Sequence, residues 1–160
     1  MSSISQSRAA LRIFGDDLVP DEISVLLGSR PTDSYSKGEV RHTSTGHVIT
    51  RKTGMWKITA APREPEDLDH QVHEVLSALS SDMAVWSTLN QKYQIDLFCG
   101  LFMEGSNEGC SLSVATMSAL AARGIEVGFD IYAPDRPIDP SAPCPCESGK
   151  AYSQCCAPST

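Results

Sequence analysis

The sequence predicts an α+β protein built on a mainly antiparallel sheet with helices on one face, followed by a small cysteine-rich knuckle at the C-terminal end. Three observations carry this expectation. Segments 95–104 and 125–132 carry an apolar residue at every second position, as strands with one covered face do. Apolar residues between Leu68 and Tyr93 recur at intervals of three and four, the spacing of one helical face. Four of the six cysteines fall between Cys144 and Cys156, too tight a cluster to belong to the same core.

At 160 residues the chain suits one domain and an appendage. The expected division is an α+β body at 1–133, a proline-rich linker at 134–143 and the knuckle at 144–158. Apolar content of 41% and charged content of 21% are those of a folded protein. The net charge of −7 gives no broad positive footprint for phosphates, so nucleic acid is an unlikely partner. The first residues lack a basic segment followed by an apolar run, and Arg8 and Arg12 interrupt the first apolar patch. A leader or a membrane anchor is therefore not expected, and the cytoplasm is the expected location.

In order, residues 9–14 read as a strand broken at Gly15-Asp16-Asp17. A short helix follows, with Pro20 in its first turn, Asp21 and Glu22 at its positive end, an apolar face of Ile23, Leu26 and Leu27, and a stop at Gly28. Residues 29–45 are polar loop with some extended structure. Residues 46–50 and 55–59 are expected to pair as a hairpin across Arg51-Lys-Thr-Gly54. A connector at 61–67 leads to the helical stretch 68–93, which Ser80-Ser81-Asp82 is placed to split, because Ser and Asp favour helix caps over helix interiors.

Ile95, Leu97, Cys99, Leu101 and Met103 then share the inner side of a strand, and Asp96, Phe98, Gly100, Phe102 and Glu104 its outer side. A turn at 105–109 precedes a helix capped by Ser111 or Ser113, with Met117, Leu120 and Ala121 inward and Gly124 as its stop. In the last strand Ile125, Val127, Phe129 and Ile131 are expected inside, opposite Glu126, Gly128, Asp130 and Tyr132. Leu18-x4-Ile23-x2-Leu26 and Leu112-x4-Met117-x2-Leu120 each follow a strand and end at Gly, a spacing compatible with a duplicated β-α-β plan. Phe98, Phe102 and Tyr132 would then stand together on the uncovered face, and aromatic side chains there mark a binding surface.

Pro134, Pro137, Pro140 and Pro143 recur every third residue, the repeat of polyproline II, so the linker reads as a stiff spacer of about 28 Å at about 3.1 Å per residue. Beyond it, Cys144, Cys146, Cys155 and Cys156 give C-x-C-x8-C-C. Four thiolates satisfy one tetrahedral zinc ion, and the spacing by itself also admits disulfides or a redox pair. A reducing compartment favours the metal. Such a site has no open position for water, so its zinc would be structural. Ser148, Gly149 and Lys150 would surround it, their N–H groups and the ammonium offsetting a formal site charge of about −2.

The run Ala142-Pro-Cys-Pro-Cys-x-Ser-Gly-Lys-x-Tyr-x-x-Cys-Cys156 resembles the SEC-C motif, the small zinc knuckle found at the end of the bacterial protein-export motor ATPase and in many other bacterial proteins. The resemblance implies one structural zinc on the four cysteines and a protein partner. Glu147 stands where the motif usually has Gly, and Lys150 is the only positive side chain between Cys144 and Cys156, which implies weaker binding to an acidic surface. Arg12-Ile-Phe-Gly-Asp-Asp-Leu-Val-Pro-Asp-Glu-Ile-Ser-Val-Leu-Leu-Gly28, the Gly54-Met-Trp-Lys57 segment and the stretch from Asp96 to Tyr132 resemble a bacterial domain-of-unknown-function family, number 4279. This second resemblance spans most of 8–133 and implies a fold rather than a reaction.

No catalytic constellation is legible. Gly105-Ser-Asn-Glu-Gly109 has its Ser in the wrong place for a nucleophile elbow, and His73-Glu74 has no second His for H-E-x-x-H. His70 and His73, with Asp67 or Asp69 nearby, read as solvated helix residues, and Cys99 as an apolar-face thiol. The expectation is a non-enzymatic interaction module or adaptor with a protein partner. An immunity or antitoxin-like protein that neutralises a toxin by binding is the alternative, ahead of an enzyme of unrecognised type.

Overall fold

The structure, a computed structural model, describes residues 3–43, 45–105, 107–134, 139, 141–144 and 148–155. Its centre is a five-stranded sheet in the order β2-β5-β1-β6-β7, where β1 is Gln6–Gly15, β2 Asp33–Tyr35, β5 Gly54–Thr59, β6 Gln94–Phe102 and β7 Glu126–Tyr132. A separate two-stranded ribbon pairs β3, Val40–His42, with β4, Val48–Thr50. Every neighbouring pair in the main sheet is antiparallel except β6 and β7, which run parallel. The helices are α1, Pro20–Leu27; α2, Leu68–Ser77; α3, Met83–Lys92; and α4, Val114–Ala122.

One side of β1 explains the layering. Ser7, Ala9, Leu11 and Ile13 are buried, whereas Arg8, Ala10, Arg12 and Phe14 alternate with them on the other side. Pairing Ile13 with Trp56 and Ile95, and Leu11 with Leu97, makes a continuous apolar floor on which the helices lie. Trp56 is fully buried there and donates its indole N–H to the Ser24 hydroxyl of α1 at 3.0 Å, so its one polar atom is satisfied inside the core. Ile23 and Leu27 of α1, Leu68, Val72 and Val75 of α2, and Trp86 and Leu89 of α3 complete the packing. Full burial of each large side chain stabilises the fold by about 1.5–3 kcal/mol. A buried polar clasp fixes α2 on β1. Ser7 donates to Gln71 Oε1 at 2.8 Å, and the Gln71 amide donates to the Ser7 and Ala61 carbonyls at 3.2 and 2.8 Å.

Local signals act where the sequence places them. Gly28 ends α1 at φ 70°, and Gly124 follows α4 at φ 64°, conformations that glycine adopts without strain. Asp82 caps α3 by accepting from Ala84 N–H, and Ser113 caps α4 by accepting from Thr116 N–H. Both glycine-stopped helices join parallel strands. α4 joins neighbours β6 and β7, whereas α1 joins β1 to β2 with β5 interposed, so the duplicated plan holds only in outline.

Three expectations are corrected. The hairpin 46–59 does not form: β4 pairs back with β3, and β5 pairs with β1 over six residues and with β2 over three. The long apolar register with β1 outweighs a local turn. In α4, Thr116 and Leu120 face the core, while Met117 is 49% exposed and Ala121 is exposed. Thr116 can occupy the inner position because its hydroxyl accepts a hydrogen bond from the Ser113 hydroxyl. In β7, Ile125 just ahead of the strand is buried and Val127 packs on the core, but Phe129 and Ile131 are 47% and 60% exposed, because the helical layer stops short of this edge strand.

Candidate functional site

The uncovered face of the sheet is laid out in cross-strand rows by its registers. One row is Thr59, Ala10, Phe98 and Gly128; the next is Arg8, Gly100 and Asp130; the next is Gln6, Phe102 and Tyr132. The expected trio of Phe98, Phe102 and Tyr132 is thus on one face, as the period-two pattern requires. Phe102 and Tyr132 stack with ring centroids 4.8 Å apart and planes 6° from parallel. The Arg8 guanidinium lies 5.2 Å above the Phe102 centroid, making an Arg–Phe–Tyr stack across three strands. Tyr132 donates its hydroxyl to Asp130 Oδ2 at 2.5 Å, and this bond holds the Tyr132 phenol above its usual pKa.

Phe98 belongs to a second cluster. Arg12 sits 4.4 Å over its ring and is clamped by two hydrogen bonds to Asp96, Nε to Oδ1 at 2.8 Å and Nη2 to Oδ2 at 2.6 Å. Between the clusters lies a shallow cleft of about 230 Å³, walled by Phe98, Phe102 and Tyr132 and floored by Ala10 and Gly100. Gly100 lies beneath the stack, where an added Cβ would stand 3.5 Å from the Phe102 ring, an ordinary van der Waals distance. Ligand pockets for small molecules and cofactors run from about 300 to 1,000 Å³. A cleft below that range, with apolar walls and an arginine at its lip, suits one apolar or aromatic side chain of a partner.

Arg8, Arg12, Ala10 and Gly100 escape sequence reasoning as site residues. The signal for the arginines is their alternation with Ala9, Leu11 and Ile13, which becomes informative once β1 lies beside β6. Toward the β2 edge the same face is closed: Arg41 of β3 donates to Asp33 Oδ1 at 2.9 Å and to the Ser34 carbonyl, and Arg51 lies 4.2 Å over the Tyr35 ring. The hydrogen bond from Arg41 holds the Asp33 carboxyl below its ordinary pKa.

The knuckle is built on a short hairpin. Pro143 and Ala151 bridge, Cys144 N–H donates to the Lys150 carbonyl, and Tyr152 N–H donates to the Ala142 carbonyl, each at 2.9 Å. Gly149 makes its turn at φ 73°. A 3-10 turn, Tyr152–Gln154, then carries the chain to Cys155, whose sulfur lies 3.2 Å from the Ser148 hydroxyl. Cys144 is 4% exposed and Cys155 is exposed. Cys146 and Cys156 lie outside the described residues, as do Pro137 and Pro140 of the linker. Among the described residues no group of three or more His, Cys, Asp or Glu side chains gathers. The donor chemistry fits zinc. Cys144 and Cys155 stand on one hairpin-and-turn unit, and the other two thiols follow them within two residues and one residue.

The other metal candidates are accounted for otherwise. His70 and His73 are exposed on α2, Asp67 caps that helix through His70 N–H, and Asp69 accepts from Ser113 N–H at 3.0 and 3.2 Å. No helix among the described residues is long and apolar enough to cross a membrane. No curated protein and no solved structure matches the chain significantly. A family model described as SEC-C motif matches residues 141–158, the segment of the hairpin and its cysteines. A second model matches residues 5–134, from the start of β1 to just past β7, so the chain belongs to the family described as domain of unknown function (DUF4279).

Proposed function

We propose that the protein is a non-enzymatic, cytoplasmic binding module of the adaptor kind, whose body takes a protein partner on the open sheet face and whose C-terminal knuckle is held by one structural zinc ion. The observation that carries the reading is the Arg8–Phe102–Tyr132 stack beside a cleft that no helix among the described residues covers. Tyr132 is exposed and Phe98 and Phe102 are partly exposed beside it, and aromatic and arginine anchors are the residues that dominate protein interfaces. Thiolates of Cys144, Cys146, Cys155 and Cys156 would hold the zinc, with Ser148, Gly149 and Lys150 around them. The ion would lock the knuckle hairpin, as structural zinc does in small domains whose fold depends on the metal.

The test has two arms. Metal analysis of the full chain purified under reducing conditions is expected to give one zinc per chain, lost when Cys155 and Cys156 are both changed to Ser. A protein without zinc, or a double variant that keeps it, removes the metal from the proposal. For the face, partners are captured from the source cell on wild-type chain and on Phe102→Ala and Tyr132→Ala variants, and each candidate is repurified and titrated directly. An authentic partner loses at least tenfold in affinity for either variant, about 1.4 kcal/mol. Equal affinity for all three proteins excludes this face.

A further inference from the structure

The two edges of the sheet are treated differently. At one edge β2 has three residues, and Arg41 hydrogen-bonds across it to Asp33 and the Ser34 carbonyl. At the other edge β7 has seven, Glu126-Val-Gly-Phe-Asp-Ile-Tyr132, without the Lys or Pro that blunt an exposed edge. Among the described residues no strand pairs with its outer side. Met103 N–H reaches the Tyr132 carbonyl from the β6 side at 3.0 Å. Backbone alternation therefore turns the N–H and C=O groups of Val127, Phe129 and Ile131 outward. Phe129 and Ile131 are exposed on the helix side of this edge. Ala115 and Ala119 of α4 line the groove toward α2, so exposed Met117 lies on the opposite flank of that helix, the one turned toward β7.

We propose that β7 is a homodimer edge, pairing antiparallel with β7 of a second copy about a two-fold axis at Phe129. The register selects this occupant. Centred on Phe129, Val127 meets Ile131 of the second copy, Gly128 meets Asp130, and Glu126 meets Tyr132, so no carboxylate faces another. Moving the centre to Gly128 sets Glu126 opposite Asp130, and moving it to Asp130 sets that residue opposite its own copy; both are repulsive. The Gly128 Cβ position has no atom within 4 Å, which leaves room for Asp130 of the second copy. The pairing is self-complementary, as a two-fold interface must be. It satisfies the outward backbone groups, brings together the apolar side chains of both copies, and joins two five-stranded sheets into one of ten. The proposal does not rest on the partner face; Tyr132 belongs to both, while Arg8, Phe98 and Phe102 lie on β1 and β6, away from the new edge.

Sedimentation of the full-length chain over a concentration series tests this. The wild type is expected to rise from the 17.2 kDa of one chain toward twice that mass, and Ile131→Lys to stay at one-chain mass with an unchanged circular dichroism spectrum. Phe129→Cys, oxidised with glutathione disulfide, is expected to yield a self-linked peptide at position 129, while Tyr132→Cys, which would face position 126, gives none. A wild type that is monomeric at every concentration overturns the proposal, and so does a dimer that Ile131→Lys leaves intact. Should Ile131→Lys fail to fold, the Phe129→Cys trap decides for a dimeric wild type: absence of the self-linked peptide overturns the edge.

Discussion

Arg12 and Asp96 are directly opposed in the β1–β6 register and meet as a bidentate pair, Nε to Oδ1 at 2.8 Å and Nη2 to Oδ2 at 2.6 Å. The hydrogen bonds that Arg12 donates to Asp96 are the largest influence raising the Arg12 pKa. Both side chains are 28% exposed, so solvent screens the attraction without removing it. The geometry matters more than the charge, because the planar guanidinium also covers the Phe98 ring. Arg12→Lys is therefore expected to cost nearly as much as Arg12→Ala, about 1 kcal/mol in urea unfolding. A lysine variant as stable as wild type would show that a point charge suffices and that the fork is not what holds Phe98 in place.

Gly54 and Gly15 face each other where β5 meets the end of β1. A Cβ at position 54 would stand 2.8 Å from the Gly15 carbonyl oxygen, 2.9 Å from Leu18 Cβ and 3.0 Å from the Leu18 carbonyl oxygen. Two of these are backbone atoms that cannot swing aside. Gly54→Ala should destabilise the protein by about 1–3 kcal/mol, the usual cost of overpacking. Gly128→Ala, whose new methyl meets nothing within 4 Å, should change stability by about 0.5 kcal/mol or less. Equal unfolding midpoints for the two variants would contradict the close approach of β5 to Gly15 and Leu18.

Elements fixed by local chemistry were legible in the sequence, and those fixed by distant partners were not. Asp82 and Ser113 announced their helices, and the alternation in β6 put Phe98 and Phe102 on one side and Cys99 on the other. The 46–59 hairpin was equally plausible locally, yet β5 is claimed by β1, about forty to fifty residues earlier in the chain. Alternation also assigns a face without saying what covers it, so Phe129 and Ile131 read as core when only the reach of α4 decides the matter. Arg8 and Arg12 join the aromatic face solely through the β1–β6 register. The second half of the knuckle's donor set, Cys146 and Cys156, rests on the motif, since neither is among the described residues.

Cys99 lies on the helix side of β6, and burial pushes its thiol up to about 12, with smaller contributions from Cys110 and Asp96. An unfolded cysteine ionises near pH 8.5. Between those values the unfolded chain releases a proton that the folded chain keeps, so the folded state binds more protons and stability falls as pH rises. The stabilising contribution is intact below about pH 8.5 and is lost progressively toward about 12. Replacing Cys99 with Ala should flatten the alkaline decline in unfolding free energy relative to wild type, at the expense of a small cavity at neutral pH. Iodoacetamide at pH 8 should leave Cys99 unmodified in the folded protein and label it after urea unfolding, because the thiolate is the reacting species. Labelling of the native protein at Cys99 as fast as in urea would mean that the β6 core opens far more readily than its packing implies.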